Sequence, residues 1–269
     1  MTDQPFVRLD VEAGVATVTL DSPANRNALS KRLRRELIGH LDAAIADAAV
    51  RVIVLTHTGP VFCAGMDLKE SGGTNAAGQG VHEFPRILET IWSSPTPVVA
   101  RLAGSARAGG IGIVAACDIA IAVDTATFAF SEVRIGVVPA VISATVLQRM
   151  QPRAANELYL TGETFDAARA VAAGLLNAAV PAADLDAVVA RYVDMLRLGA
   201  PEAIGEAKRL LRRSPAVTLR DDLAELSDLS ARSFAGVEGQ EGIRAFVEKR
   251  SPSWVSHSPD RPPPDGSTR

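Results

Sequence analysis

The feature that most constrains the fold is an alternation of short apolar runs with segments of helical length in the first half of the chain. Residues 52–56, 98–102 and 119–123 are mainly aliphatic and lack polar alternation, as is typical of strands that are covered on both faces. Helices are predicted between them, over about 82–92 and 108–117. Strand–helix–strand units of this kind favour parallel strands joined by right-handed crossovers, so we predict an α/β fold.

The flanking segments extend this pattern at both ends. Alternating apolar residues over 6–20 predict two short strands that turn at Gly14, and Ser30 is a suitable N-cap for a helix to about Ala48. From about Ser143 the sequence predicts helices almost throughout, with breaks at proline or glycine. These helices are expected near 143–150, 153–160, 165–173, 183–198, 201–213, 218–233 and 238–250.

Composition limits the classes of protein to which this chain can belong. Hydrophobic residues make up 47% of the 269 residues but aromatic residues only 4%, so the core is built from small aliphatic side chains. The net charge of −3 argues against a nucleic-acid-binding protein. No apolar run reaches about 18 residues, which excludes a membrane span. The polar segment 1–9 lacks a signal core, so a cytoplasmic protein is expected.

Residue spacing disfavours three other kinds of site. The two cysteines, Cys63 and Cys117, form no CxxC pair and are predicted to be buried, reduced thiols. Residues 110–115 match the GxGxxA pattern of dinucleotide-binding turns, but the polar loop 104–108 separates them from the preceding strand, so no nicotinamide cofactor is expected. We predict no metal site either, because no two histidines have ligand spacing. The histidines are His40, His57, His82 and His257.

Two glycine-containing turns follow apolar strands and are candidates for chemistry. The first spans Phe62–Lys69 (FCAGMDLK) and the second spans Gly104–Gly110 (GSARAGG). In each turn, a glycine at the start of a predicted helix leaves backbone N–H groups without intrahelical acceptors. Such groups, aided by the helix dipole, suit a developing negative charge, and two that converge form an oxyanion hole.

With their flanking residues, these turns resemble the crotonase superfamily of enoyl-CoA hydratases and isomerases. The resemblance extends over about residues 6–254 and rests on motifs that occur in the family's order and spacing. The motifs are Asn25–Ser30 (NRNALS), the FCAGMDLKE run from Phe62, Pro97–Ala100 leading to Gly109-Gly110, Ala116–Ile119, Phe128–Glu132 with Gly136 and Pro139, Leu160–Glu163, Ala173–Leu175 and Glu241–Phe246.

The resemblance implies a fold, an assembly and a class of substrate. It implies a crotonase-like spiral of ββα turns over residues 1–198, a helical trimerisation region over 199–250 and a mostly disordered, proline-rich tail over 251–269. Trimers of this family often pair, so a trimer or a dimer of trimers is expected. The family binds acyl-CoA thioesters without a metal or redox cofactor, and coenzyme A is part of the substrate.

The resemblance also implies site residues. The oxyanion hole is expected from the backbone N–H groups of Met66 and Gly109. The positions that match the family's CoA-binding positions are Arg26, Ala28, Ala64 and Leu68. Arg26 and Lys69 are cations suited to phosphate, although each is equally suited to be a solvated surface charge.

One position departs from the family's pattern. Hydratases of the family carry two glutamates, of which the second is present here as Glu132, whereas Gly112 occupies the position of the first. We expect the glycine to leave room beside the substrate for a bulky acyl group or a water. We also expect Ser131, which replaces the family's usual proline, to hydrogen-bond the Glu132 carboxylate or a water.

A single carboxylate is compatible with several functions. Hydration needs a water oriented on C3 and a proton delivered to C2, work that two carboxylates normally share. A hydratase with Glu132 as the only acid/base is the favoured interpretation. A Δ3,Δ2-enoyl-CoA isomerase, which moves one proton between C4 and C2, needs only one carboxylate. Another reaction of the superfamily on a branched or sterol-derived acyl group, and a non-catalytic acyl-CoA-binding protein, remain open as well.

Overall fold

The computed structural model describes residues 4–67, 70, 83–213 and 219–255, and the chain divides after Leu196 into two compact units. The strands are β1 Val7–Glu12, β2 Val15–Leu20, β3 Val52–His57, β4 Val61–Cys63, β5 Val98–Leu102, β6 Ser105–Arg107, β7 Ile119–Val123, β8 Thr127–Ala129, β9 Phe165–Asp166 and β10 Ala178–Val180. The helices are α1 Lys31–Ala46, α2 Phe84–Ser93, α3 Gly109–Ala116, α4 Ala140–Val146, α5 Pro152–Thr161, α6 Ala167–Ala172, α7 Leu185–Leu198, α8 Pro201–Arg212, α9 Leu219–Ala235 and α10 Val237–Glu248. Short 3-10 helices lie at Pro23–Asn25 and Ser131–Ile135.

A six-stranded sheet forms the larger layer of the first unit, with the strand order β1-β2-β3-β5-β7-β10. β1 and β2 are antiparallel, and the other neighbours are parallel, with Val54 opposite Val99 and Ala100 opposite Ala120. Every residue of β3 is buried. The apolar runs therefore predicted the central strands correctly, and the predicted α/β fold is confirmed.

A second, four-stranded sheet has the order β4-β6-β8-β9. β4, β6 and β8 are parallel, and β9 is antiparallel to β8. The prediction that 104–108 is a loop without secondary structure is wrong, because residues 105–107 form β6 between two partners. The strands β9 and β10 likewise interrupt a region predicted to be almost all helix. Strands of two or three residues are too short to show a period of two, so only their pairing reveals them.

The first and third helices follow from their sequences. The Ser30 hydroxyl accepts the Leu33 N–H at 3.3 Å, as predicted for the N-cap of α1. The leucines on the apolar face of α1, including Leu37, are fully buried. All residues of α3 are buried, and a Cβ added to Gly110 would lie 2.7 Å from the Cys63 carbonyl oxygen. Glycine is therefore required where α3 packs directly on the end of β4.

The second unit is helical in its described residues. The Glu238 carboxylate accepts the N–H groups of Glu202 and Ala203, each at 3.1 Å, and so caps the start of α8. The Trp254 indole N–H donates to the Leu198 carbonyl at 3.1 Å. The prediction of a disordered tail falls mostly on residues 256–269, which lie outside the described residues. In the part of the chain that the structure describes, no helix is long and apolar enough to cross a membrane.

Candidate active site

The three predicted catalytic positions follow neighbouring strands of the smaller sheet. Met66 lies three residues after β4, Gly109 lies two residues after β6, and Glu132 lies three residues after β8. These strands are parallel and adjacent, so their carboxyl ends share one edge of the sheet. Ligand sites of open α/β sheets lie at such edges. The topology therefore places at one edge three residues that span 66 positions of the sequence.

The two glycine-containing turns are in contact at this edge. Gly65 has a φ of +88°, a conformation that favours glycine. A Cβ added to Gly65 would lie 3.0 Å from the Ala108 Cβ and 3.5 Å from the Gly109 nitrogen. The Ala108 N–H donates to the Ala129 carbonyl at 3.2 Å, which ties the second turn to the end of β8.

The backbone N–H groups of Met66 and Gly109 are available to a ligand. The Gly65 carbonyl accepts the Leu29 N–H at 2.8 Å, and Met66 forms an isolated parallel bridge with Leu29. Gly109 is the first residue of α3, so its N–H has no intrahelical acceptor. Within the described ranges, neither the Met66 N–H nor the Gly109 N–H has a protein acceptor. Two unpaired donors on touching turns are therefore candidates for an oxyanion hole.

Asn27 links its own segment to Thr58 and to the start of β4, just before the first turn, a role that sequence reasoning missed. Its side-chain oxygen accepts the Ser22 N–H at 2.8 Å, and its amide group donates to Thr58 and Val61 carbonyl oxygens at 3.0 and 2.8 Å. Asn27 is fully buried and has a φ of +51°. Asn27 belongs to the NRNALS motif, but Thr58 and Val61 are more than 30 residues away and no local pattern indicates them.

The predicted CoA-binding residues that the structure describes lie beside this turn. The Arg26 carbonyl accepts the Ala64 N–H at 3.1 Å, so these two residues are neighbours across the turn. Ala28 is buried, Ala64 is half-buried and the Arg26 side chain is exposed. The other two predicted CoA-binding residues, Leu68 and Lys69, lie outside the described residues. The start of the helix predicted after the first turn lies outside them as well.

Glu132 lies in the first turn of the 3-10 helix and is half-buried. Its Oε2 atom is buried without a protein hydrogen-bond partner. Burial raises the pKa of this carboxyl, and a hydrogen bond from its own backbone N–H only partly opposes that effect. The expected hydrogen bond from Ser131 to this carboxylate is absent from the described structure. A carboxylate with one unpartnered oxygen and a raised pKa is suited to proton transfer.

The expectation of room at Gly112 is wrong. A Cβ added to Gly112 would lie 2.5 Å from the Ile142 Cγ2 and 2.9 Å from the Ile142 Cβ. The Thr145 hydroxyl donates to the Gly112 carbonyl at 3.1 Å and holds α4 against α3. The buried Ile142 side chain therefore fills the direction in which the family's first glutamate would leave the helix. Gly112 contacts α4 there, and its predicted contact with substrate stays a prediction.

Both cysteines and one histidine of this unit are buried. Cys63 and Cys117 are free and buried, as predicted, and burial raises the pKa of the Cys63 thiol to about 12. His57 is buried, and its Nε2 accepts the Ala103 N–H at 3.0 Å. Burial also lowers the pKa of His57, so the ring is neutral at pH 7. Among the described residues, no group of three His, Cys, Asp or Glu side chains is placed to hold a metal ion.

Comparisons with known proteins agree with the geometry. A family model described as enoyl-CoA hydratase/isomerase matches residues 10–257. The 2,3-dehydroadipyl-CoA hydratase of Escherichia coli is 31% identical over 89% of this chain and 94% of its own length. A solved enoyl-CoA hydratase of Mycobacterium avium is 43% identical, with a TM-score of 0.71, and covers 93% of this chain and 99% of its own. That of Mycobacterium smegmatis is 32% identical, with a TM-score of 0.86, and covers 94% of this chain and 100% of its own.

Proposed function

Since the chain belongs to the enoyl-CoA hydratase/isomerase family, we propose that it adds water across the 2,3 double bond of an acyl-CoA thioester. Glu132 is the acid/base of this reaction, and the N–H groups of Met66 and Gly109 bind the thioester oxygen. Arg26 and Lys69 pair with phosphates of CoA, and Ala28, Ala64 and Leu68 contact the rest of that moiety. Because CoA belongs to the substrate, this reaction uses no separate cofactor.

The proposed chemistry proceeds through an enolate. The Glu132 carboxylate takes a proton from water as the water oxygen bonds to C3, and the electron pair of the double bond moves through C2 to the thioester oxygen. The two backbone N–H groups stabilise the negative charge on that oxygen. Protonated Glu132 then delivers the proton to C2, which restores the thioester and regenerates the carboxylate.

The observation that carries this proposal is the contact between the two turns. Gly65 and Gly109 approach so closely that a Cβ on the former would lie 3.5 Å from the nitrogen of the latter. Both neighbouring N–H donors lack a protein acceptor in the described ranges. Removing one donor from such a hole in other enzymes costs roughly 3–4 kcal/mol of transition-state stabilisation, so a pair of donors is a substantial catalytic device.

A second candidate function is the isomerisation of 3-enoyl-CoA to 2-enoyl-CoA. It is favoured by one observation, namely that α3 contains no carboxylate and that Ile142 fills the space beside Gly112. Glu132 alone would move the proton between C4 and C2. A non-catalytic acyl-CoA-binding protein is the third candidate, although the raised pKa of Glu132 argues for proton transfer.

The test is an assay of turnover with the native protein and Glu132→Gln. Hydration predicts a loss of enoyl-thioester absorbance from a short trans-2-enoyl-CoA, and the variant should lose this activity while it still binds the substrate. A gain of the same absorbance from a 3-enoyl-CoA, without hydration, would support the isomerase instead. Binding of both thioesters without turnover would refute both enzymatic proposals and leave the binding protein.

We also propose that the helical region mediates self-association to a trimer or a dimer of trimers. Supporting this, α9 and α10 expose large apolar side chains, with Leu223, Phe234 and Phe246 at 55%, 63% and 85% of their full accessibility. Clusters of exposed apolar residues mark interaction surfaces in many proteins. Sedimentation of the full chain tests this, and a monomer at micromolar concentration would contradict it. The cytoplasm stays the predicted compartment.

A further inference from the structure

A tyrosine from α5 lies against the segment that carries Glu132. The Tyr159 ring packs on the Phe130 ring, with centroids 4.4 Å apart and planes inclined by 42°. Phe130 is the residue immediately before the 3-10 helix that contains Glu132. Phe165, at the start of β9, packs against the same Phe130 ring with centroids 5.9 Å apart. The position of the Tyr159 ring is therefore fixed by aromatic packing rather than by its hydroxyl group.

The Tyr159 hydroxyl and the Glu132 carboxylate share an uncommon property. In the described part of the chain, three buried side-chain polar atoms have no protein hydrogen-bond partner, and they are Asn25 Oδ1, Glu132 Oε2 and Tyr159 Oη. Two of these three atoms, Glu132 Oε2 and Tyr159 Oη, therefore belong to the segments that meet at Phe130. Burial of a polar atom without a partner costs about 1–3 kcal/mol, so such atoms normally meet a water or a ligand.

The Tyr159 hydroxyl interacts electrostatically with Glu132 and lies near a third polar group, the Ser143 hydroxyl. Burial and the negative charge of Glu132 together raise the pKa of Tyr159 to about 12, so the phenol is protonated at neutral pH. The Ser143 hydroxyl lies nearby, without the geometry of a hydrogen bond to Tyr159. Ser143 donates its own proton to the Pro139 carbonyl at 2.7 Å, so its oxygen is free to accept another hydrogen bond.

We propose that Tyr159 is a further catalytic residue, whose hydroxyl holds the reacting water together with Glu132. This inference rests on the proposed hydratase function. The water donates one O–H to the Glu132 carboxylate and the other to Tyr159 Oη. When this water is bound, the Tyr159 hydroxyl turns its own proton toward Ser143 Oγ to form a hydrogen bond that the free protein lacks, and Ser143 donates to Pro139. Every donor in this chain then has one acceptor, and the water keeps a lone pair for C3.

A hydratase with glycine at position 112 needs another group to hold the reacting water. The family's first glutamate would supply it, but Ile142 occupies that direction from α3. An apolar isoleucine offers no hydrogen bond, and Glu132 alone fixes only one of the two O–H groups of a water. Tyr159 supplies the missing partner from another helix, α5.

The test compares two reactions that differ in their need for water. Hydration needs the water to be held on C3. Exchange of the C2 proton of a saturated acyl-CoA in deuterated water, followed by proton NMR, needs Glu132 and the oxyanion hole but no addition to C3. Tyr159→Phe keeps the ring that packs on Phe130 and removes only the hydroxyl. We expect this variant to lose about 10-fold or more in kcat for hydration, with KM and the exchange rate nearly unchanged.

The chain offers a matched control, because Tyr192 on α7 is its other tyrosine. Tyr192→Phe should hydrate at the native rate. A smaller loss of hydration in Ser143→Ala, again with normal exchange, would support the hydrogen-bond chain.

Three results would overturn the inference. Native hydration in Tyr159→Phe would show that the hydroxyl holds no reacting water. Equal losses of hydration and exchange in that variant would show that Tyr159 acts on Glu132 or on the fold. A native protein with neither hydration nor exchange would overturn the proposed function itself, and this inference with it, which distinguishes that failure from the other two.

Discussion

Replacing Gly65 by alanine tests whether the contact between the two turns creates the catalytic geometry. Gly65 has a φ of +88°, and an added Cβ would approach the Ala108 Cβ to 3.0 Å. The left-handed conformation costs an L-residue about 1–2 kcal/mol. The close contact additionally forces Ala108 to shift by a few tenths of an ångström, which moves Gly109 relative to Met66.

We therefore expect Gly65→Ala to lose about 1–2 kcal/mol of unfolding free energy and about 10- to 100-fold in kcat. The second figure is smaller than the roughly 100- to 1000-fold loss that follows removal of an oxyanion donor, because the N–H group is displaced and not deleted. KM should change little, since Gly65→Ala removes none of the side chains proposed to bind CoA. The assay is hydration of a short trans-2-enoyl-CoA, with thermal unfolding measured on the same samples.

Gly14→Ala is the matched control. Gly14 has a φ of +78° in the turn between β1 and β2, and its added Cβ would lie 3.3 Å from the Ala49 carbonyl oxygen. It should lose similar stability, about 1–2 kcal/mol, and keep native kcat. Native kcat in Gly65→Ala would show that the contact between the two turns does not position the two N–H donors. An equal loss of kcat in Gly14→Ala would show that destabilisation alone explains the effect.

Two further predictions concern Gly112 and the charge of Glu132. Gly112→Ala should destabilise the protein by about 1–3 kcal/mol through its overlap with Ile142, whereas Gly39→Ala, on an open face of α1, should stabilise it by about 0.5–1 kcal/mol; equal thermal shifts would contradict this. Because the pKa of Glu132 is raised above its ordinary value of 4.5, kcat/KM should fall as pH drops through that raised value, and a profile flat down to pH 4.5 would contradict this. The folded state favours the protonated carboxyl, so Glu132→Gln should be more stable than the native protein at pH 7, with a gain that disappears below about pH 4.5.

The sequence predicted those parts of the fold whose signal is local. The buried runs of β3, β5 and β7 and the amphipathic face of α1 were found because each spans five or more residues of one pattern. The strands β6, β8, β9 and β10 contain only two or three residues each, and their existence depends on partners elsewhere in the chain. The order of strands in the smaller sheet, which places the three predicted catalytic positions at one edge, has no local signal either.

The candidate site likewise contains features that motifs predict and features that depend on contacts between distant segments. The turns at Gly65 and Gly109 and the carboxylate of Glu132 were identified from motifs, because the chemistry demands those residue types. Ile142 filling the space beside Gly112, and Tyr159 lying on Phe130, were not predicted. Both are contacts between segments that are about 30 residues apart, and single substitutions at such positions change the site without altering any motif.

The proposed oxyanion hole is tested most directly by a crystal structure of the protein with a saturated short-chain acyl-CoA. We expect the thioester oxygen to lie about 2.7–3.1 Å from the backbone nitrogens of both Met66 and Gly109, with C2 facing the Glu132 carboxylate. A thioester oxygen bound by only one of these nitrogens, or bound elsewhere, would contradict the proposed oxyanion hole.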